Sequence, residues 1–312
     1  MNQNWTKSWR ATESIVVWLQ SRVLDFFSLV LCLIVAASLS LAGQSRSDVT
    51  PKINQESKKL PQCIVVLAPS LGEWLNELKV HRSRICGVTR HSSRYDWGRG
   101  KPIVGVYSKI NLEKIVKIKP DLILATKNGN APRQIRNIEK LGYQVEIFDS
   151  QSIQMIHQSI LKLGKLLGHQ KQAKDWLQQW QQKVNQLKRL RSKSKKALIQ
   201  VGHDPLIVSG KQTYYSDLFS EIQLNNIFEF KEIRYFRPRV SSIVGNQPDI
   251  IFVLIDENYS KEKIRHYWKK FDFLSDQVLI IQDDTVLKPT LGMLDSLRRH
   301  LTAIQKNKKV SL

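Results

Sequence analysis

Three guanidiniums and two aromatic rings fall within six residues at Arg234, Tyr235, Phe236, Arg237 and Arg239. Such a run can hold carboxylates or phosphates through paired N–H donors and lay a ring against a flat ligand. An ordinary basic surface loop has the same composition. Further groups suited to a large ligand stand at His91, Tyr95 and Trp97, at Tyr107, at Lys127 and Asn128, and at His203. A ligand wedged between two surfaces takes contact area from aromatic groups and orientation from a few fixed polar ones. Catalysis has less support: no Gly-x-Ser-x-Gly, P-loop or His-Glu-x-x-His occurs. His91 and His203 lack partners at zinc-ligand spacing, so no catalytic residue, resident metal or cofactor is expected.

These residues have to be positioned by regular elements. Residues 63–67 are a continuous apolar, β-branched run, typical of a strand buried on both faces. Ser70 and Glu73 have capping-box spacing, so a helix is expected from Ser70, with Leu71, Trp74, Leu75 and Leu78 on one face. Strands over 85–89, 121–126 and 142–148 alternate with two helices. Asn111 caps the first and Pro120 stops it; the second opens after the 128–130 turn with Pro132 in its first turn. That cadence is a parallel α/β lobe, whose binding loops gather at the carboxyl ends of the strands. Ser152 and Gly168 bracket another helix, and residues 171–191 form a longer one striped with Trp176, Leu177, Trp180, Val184 and Leu187. Strands over 197–201, 250–254 and 278–281 and a helix over 291–304 follow. The expected fold class is α/β: two α/β lobes with mostly parallel sheets joined by a single long backbone helix. The lobes span 62–149 and 197–312, with a helical segment over 150–196 between them.

The chain has 312 residues, 42% hydrophobic and 24% charged, which suits a folded protein with a sizeable core. Its net charge of +22 invites a nucleic-acid or membrane-surface partner. The excess is uneven: +10 over residues 43–148, +9 over 149–196 and only +2 over 197–312. A terminal lobe near neutrality argues against a protein coated in charge for one purpose. The basic stretch 183–196 reads as a solvated bridging helix, with an anionic surface as its rival, and no nucleic-acid partner is expected. Residues 1–42 combine early basic groups, an apolar run over 26–42 and small residues at Ser40 and Ala42. That is a secretory signal cut before Gly43, or an uncleaved anchor, and either way the chain is exported. Gln44 stands where a lipoprotein signal needs cysteine. Residues 43–61 are polar and aperiodic, a flexible lead-in. Cys63 and Cys86 open two neighbouring strands; in an oxidising compartment they either bridge or remain two buried thiols.

Taken in order, Ile64 to Ser70 with Glu73, Gly87-Val88-Thr89, Asn111-Leu112-Glu113, Lys119-Pro120-Asp121-Leu122, Gly129-Asn130, Leu141-Gly142, Gln247-Pro248-Asp249-Ile250 and residues 283–304 resemble one family. It is that of the periplasmic substrate-binding proteins of cobalamin and ferric-siderophore ABC importers. The resemblance covers about residues 62–305. The cobalamin binders are most similar, through Asn128 to Ala131 with Arg133-Gln134 and through residues 200–210. It implies a monomer that captures a corrinoid, or alternatively haem or a ferric siderophore, between two lobes and hands it to membrane permease subunits. It puts an aromatic at Tyr107 and His91 near another, but Thr126, Val201 and Arg237 stand where cobalamin binders carry rings. Glu113 matches an acid that docks on the permease; the matching stretch of the second lobe, Ser241 to Gly245, has none, which leaves a charge such as Glu232.

Overall fold

The computed structural model describes residues 59–190 and 193–307; the expected signal segment over 1–42 and most of the 43–61 lead-in lie outside them. The first lobe is built on β1 (Ile64–Val66), β2 (Ile85–Val88), β5 (Leu122–Thr126) and β6 (Val145–Phe148), all parallel, in the order β2-β1-β5-β6. A short antiparallel hairpin, β3 (Gly105–Val106) with β4 (Lys109–Ile110), stands beside it. Helix α1 (Pro69–Glu77) starts one residue before the capping box allowed, because Pro69 takes the first helical position, and Ser70 caps nothing. Helices α2 (Leu112–Ile118) and α3 (Pro132–Lys140) follow β4 and β5. Asn111 caps α2 by accepting from the Lys114 N–H at 3.0 Å.

Helices α4 (Ile153–Leu167) and α5 (Gln170–Arg189) turn back on each other through Gly168, whose φ of +79° only glycine adopts without strain. Ser152 caps α4 through the Met155 N–H at 3.1 Å. Helix α5 is the one that crosses between lobes. Near its start the Trp176 indole donates to Glu77 at 2.6 Å, and near its end Lys183 and Lys188 pair with Asp295 and Glu221 of the second lobe.

The second sheet runs β10-β8-β7-β11-β12, with β9 pairing the first half of β7. Its strands are β7 (Lys195–Gly202), β8 (Ile207–Ser209), β9 (Leu224–Asn226), β10 (Tyr235–Phe236), β11 (Ile250–Ile255) and β12 (Val278–Gln282). The parallel pairs β7–β11, β11–β12 and β7–β9 carry most of it, while β8 and β10 run antiparallel. Helices α6 (Tyr214–Glu221), α7 (Val240–Asn246), α8 (Lys261–Lys269), α9 (Asp272–Ser275) and α10 (Leu291–Asn307) complete the lobe.

One apolar cluster runs from Trp74 on α1 through Trp176 and Trp180 on α5 to Leu294 and Leu297 on α10, so the lobes share a core instead of meeting at a loose seam. Trp74 adds a 2.8 Å hydrogen bond to the Pro289 carbonyl. A shared, close-packed core resists wide opening. Cys63 and Cys86 are disulfide-bonded across the ends of β1 and β2, their Cα atoms 5.3 Å apart.

Candidate binding site between the lobes

All four strands of the first sheet end at one cavity of about 1130 Å³. Ser70 follows β1, Arg90 and His91 follow β2, Thr126 and Asn128 end β5, and Gln151 follows β6. The hairpin turn adds Tyr107. Facing them are Arg234 and Tyr235 at β10, Gln212 and Tyr214 after β8, Asp256 after β11, and Asp284 and Lys288 after β12. Parallel strands put their loops at one edge, and here both sheets turn that edge toward the same space.

Tyr107 lies flat over Gly129, where a Cβ would overlap the ring. Asn130 ties the turn down: its Nδ2 donates to the carbonyls of Tyr107 at 3.0 Å and Leu67 at 3.3 Å, and its Oδ1 accepts from the Thr126 N–H at 2.9 Å. Several polar contacts bridge the cleft. Arg234 donates to the Asn128 side-chain oxygen at 2.9 Å. Asp284 accepts from the Tyr95 hydroxyl and pairs with Arg94 at 2.7 Å and Lys288 at 2.7 Å. The Lys288 ammonium also lies 3.9 Å from the Tyr95 ring centre, a cation–π contact.

Charge in the cleft follows from these pairings. Burial alone would raise the Asp284 carboxyl, but hydrogen bonds from Lys288 and Tyr95 outweigh it and hold the group below the usual carboxylate range. Lys288 is raised: burial opposes its charge, and the bond to Asp284 more than offsets that. Burial, then the neighbouring Arg94, lowers His91, which leaves its imidazole neutral at pH 7 with a lone pair to offer. Surrounding protein pushes the Tyr235 phenol up to about 12 although the residue is 42% exposed.

Of the residues singled out from sequence, His91, Tyr95, Tyr107, Asn128 and Tyr235 line the cavity, and Trp97, Lys127, His203, Phe236 and Arg237 do not. Four of these five departures have a local cause. Neighbours on a strand point to opposite faces, so Tyr235 faces the cleft while Phe236 turns to the Phe228 ring, 5.1 Å away. Trp97 packs over Gly72 and stacks on Tyr95 at 5.7 Å, supporting a cleft residue from behind. Lys127 swings to Asp149 at 3.2 Å, and His203 packs against Tyr267 at 5.5 Å. Sequence reading passed over Arg90, Arg94, Asp256, Asp284 and Lys288. Their signal was position at a strand's carboxyl end, which β11 and β12 shared with the strands that were used. Away from the cleft, Glu113 is exposed in the first turn of α2, and Glu232 is exposed and paired with Lys211.

The family model for periplasmic binding proteins matches residues 64–269. A vitamin B12-binding protein of Yersinia pestis (strain Pestoides F) is 28% identical over 192 residues, which cover 61% of this chain and 68% of that protein. Among solved structures, the periplasmic vitamin B12 binding protein BtuF of Vibrio cholerae superposes with a TM-score of 0.66 at 24% identity, over 80% of this chain and 98% of that one. A periplasmic heme binding protein from Pseudomonas aeruginosa gives 0.65 at 21% identity, over 78% and 92%. These likenesses bear out the expected two-lobe α/β class.

Proposed function

This chain belongs to the periplasmic binding protein family, whose relatives are solute-binding proteins of ABC importers and not enzymes, and from that premise we propose that it captures a corrinoid in the periplasm and delivers it to a permease. The observation that carries this is the pair Tyr107 and Tyr235, one ring from each lobe, facing a cavity of about 1130 Å³. That volume lies just above the usual range for small-molecule sites and favours a large ligand over a bare ion or a small metabolite. Rings from two lobes give a broad, slightly hydrophobic ligand contact on both faces. Asn128, Gln151 and Gln212 supply amide groups able to meet the ligand's own amides, and Arg90 and Arg234 can take a phosphate. Docking through Glu113 on the first lobe remains part of the proposal.

A haem is the second reading, favoured by His91, whose neutral imidazole is an iron donor at the cavity wall beside several cations.

Titration of the protein with cyanocobalamin, haemin and a ferric siderophore, followed by tryptophan fluorescence, separates these readings. Saturable quenching by cyanocobalamin at micromolar concentration or below is expected. Tyr107→Ala and Tyr235→Ala should each weaken it about tenfold, or about 1.4 kcal/mol. A response to haemin alone, with a Soret shift abolished by His91→Ala, would transfer the site to haem. A response to the siderophore alone would transfer it to ferric chelates.

A further inference from the structure

In the basic stretch 183–196, which sequence reading weighed as an anionic-surface binder, Lys183 pairs with Asp295 and Lys188 with Glu221. Another group of exposed cations lies on the first lobe. Helices α2 and α3 cover the same face of the first sheet, since Ile115 of one and Ile135 and Ile138 of the other enter one cluster there. Their opposite faces form a single outer layer bearing Lys114, Lys117, Lys119, Arg133, Arg136 and Lys140 against Glu113 and Glu139. Among the described residues none of these six cations lies within 4.0 Å of a carboxylate. Lys114 instead donates to the Ile103 carbonyl at 2.9 Å.

A second feature marks this layer. Val116 on α2 and Leu141 at the end of α3 are 44% and 50% exposed, apolar side chains left in water among the cations. No aromatic ring accompanies them on either helix, so the stacking platform of a nucleic-acid binder is absent from the layer. Cations interspersed with short apolar side chains match a bilayer surface, where ammonium and guanidinium groups meet phosphates and the apolar groups enter the headgroup boundary.

We propose that the outer α2–α3 layer is a docking surface for the anionic glycerophospholipid headgroups of a membrane. Contact there holds the first lobe against the bilayer and keeps the protein close to the plane in which a permease lies. The attraction is electrostatic and weakens with salt, because the screening length is about 10 Å at 0.1 M. Glu113 belongs to α2 itself, so a permease contact through that residue would use the same side of the lobe.

The test is co-sedimentation of the purified exported protein with vesicles of phosphatidylglycerol and phosphatidylethanolamine, with phosphatidylcholine vesicles as background. Binding to the anionic vesicles is expected, falling about tenfold or more between roughly 50 and 500 mM salt. Lys117→Glu with Arg136→Glu should cut the partition about tenfold, whereas Lys171→Glu with Lys174→Glu, the same charge change on exposed α5 positions, should leave it within about twofold. Unchanged thermal melting and ligand titration in both variants exclude a folding defect and keep this result separate from the ligand assignment. Equal losses in the two variants would reduce the effect to net charge and overturn the proposal. So would a lack of binding to anionic vesicles, or retention on heparin without vesicle binding.

Discussion

Trp176→Ala is expected to lower the unfolding free energy by about 3–5 kcal/mol, read from urea denaturation at neutral pH. The indole is 1% exposed, stacks on Trp180 with ring centres 5.1 Å apart, and takes the edge of His157 at 6.2 Å. Removing it opens a cavity at the place where α5 leaves the first lobe. It also strips Glu77 of a 2.6 Å hydrogen bond, leaving it the longer one from the Gly292 N–H at 3.3 Å. Trp176→Phe keeps most of the volume and loses the N–H, so it should cost less, about 1–3 kcal/mol. A loss below about 1 kcal/mol in the alanine variant would mean that α5 does not join the lobes through this ring.

Glu77→Gln is expected to stabilise the protein above pH 7 and to leave it nearly unchanged at pH 4.5. Burial drives the Glu77 carboxyl up from 4.5 to about 7; the Trp176 and Gly292 hydrogen bonds oppose the rise, and Glu73 adds to it. Between those two values the folded protein holds a proton that the unfolded chain has released. Stability therefore falls as pH rises through that window, by about 3 kcal/mol in total at most. Groups facing Glu77 set how sharp the fall is. Glu73 lies one turn back on α1 and pairs with Lys288 at 3.6 Å, while Lys183 of α5 is engaged by Asp295 of α10. Glutamine keeps the acceptor for Trp176 and has no charge to desolvate, so its stability should lose the slope between pH 4.5 and 7. Parallel slopes in the two proteins would refute the assignment. Asp283 and Asp284, both held below the usual carboxylate range, act in the opposite sense and only in stronger acid, where the same comparison cancels them.

What the sequence disclosed was mostly local. Asn111, Ser152 and Gly168 bind or bend their own neighbouring backbone, the first two opening helices and the third closing one. Apolar runs marked the central strands of both sheets, since a strand covered on both faces leaves no room for polar alternation. The Ser70–Glu73 pairing misled because a proline one residue earlier is a stronger helix start than a capping side chain. The two-residue strands β3, β4 and β10 are too short to carry a period at all. In the cleft, Tyr107 and Asn128 were legible from family likeness and loop position. Asp284 was not: its partners Tyr95 and Arg94 lie about 190 residues away, and no spacing rule connects them. Glu77 escaped notice for the same reason, being an ordinary surface-type residue in its own helix and an enclosed one only once α5 and α10 arrive.

The bonds that cross the cleft have a kinetic consequence. Arg234 reaches Asn128, and Asp284 gathers Arg94 and Tyr95, across the mouth a cargo would enter. An incoming molecule has to wait for the first of these to let go, so the observed association rate should climb with concentration and then level off at the rate of that release. Arg234→Ala removes one tether and should raise the plateau in stopped-flow mixing, while a strictly linear rise in the unaltered protein would show that the mouth never shuts. A plateau of this kind would make the receptor a timed valve, taking up scarce nutrient at full speed and refusing to hurry when it is abundant.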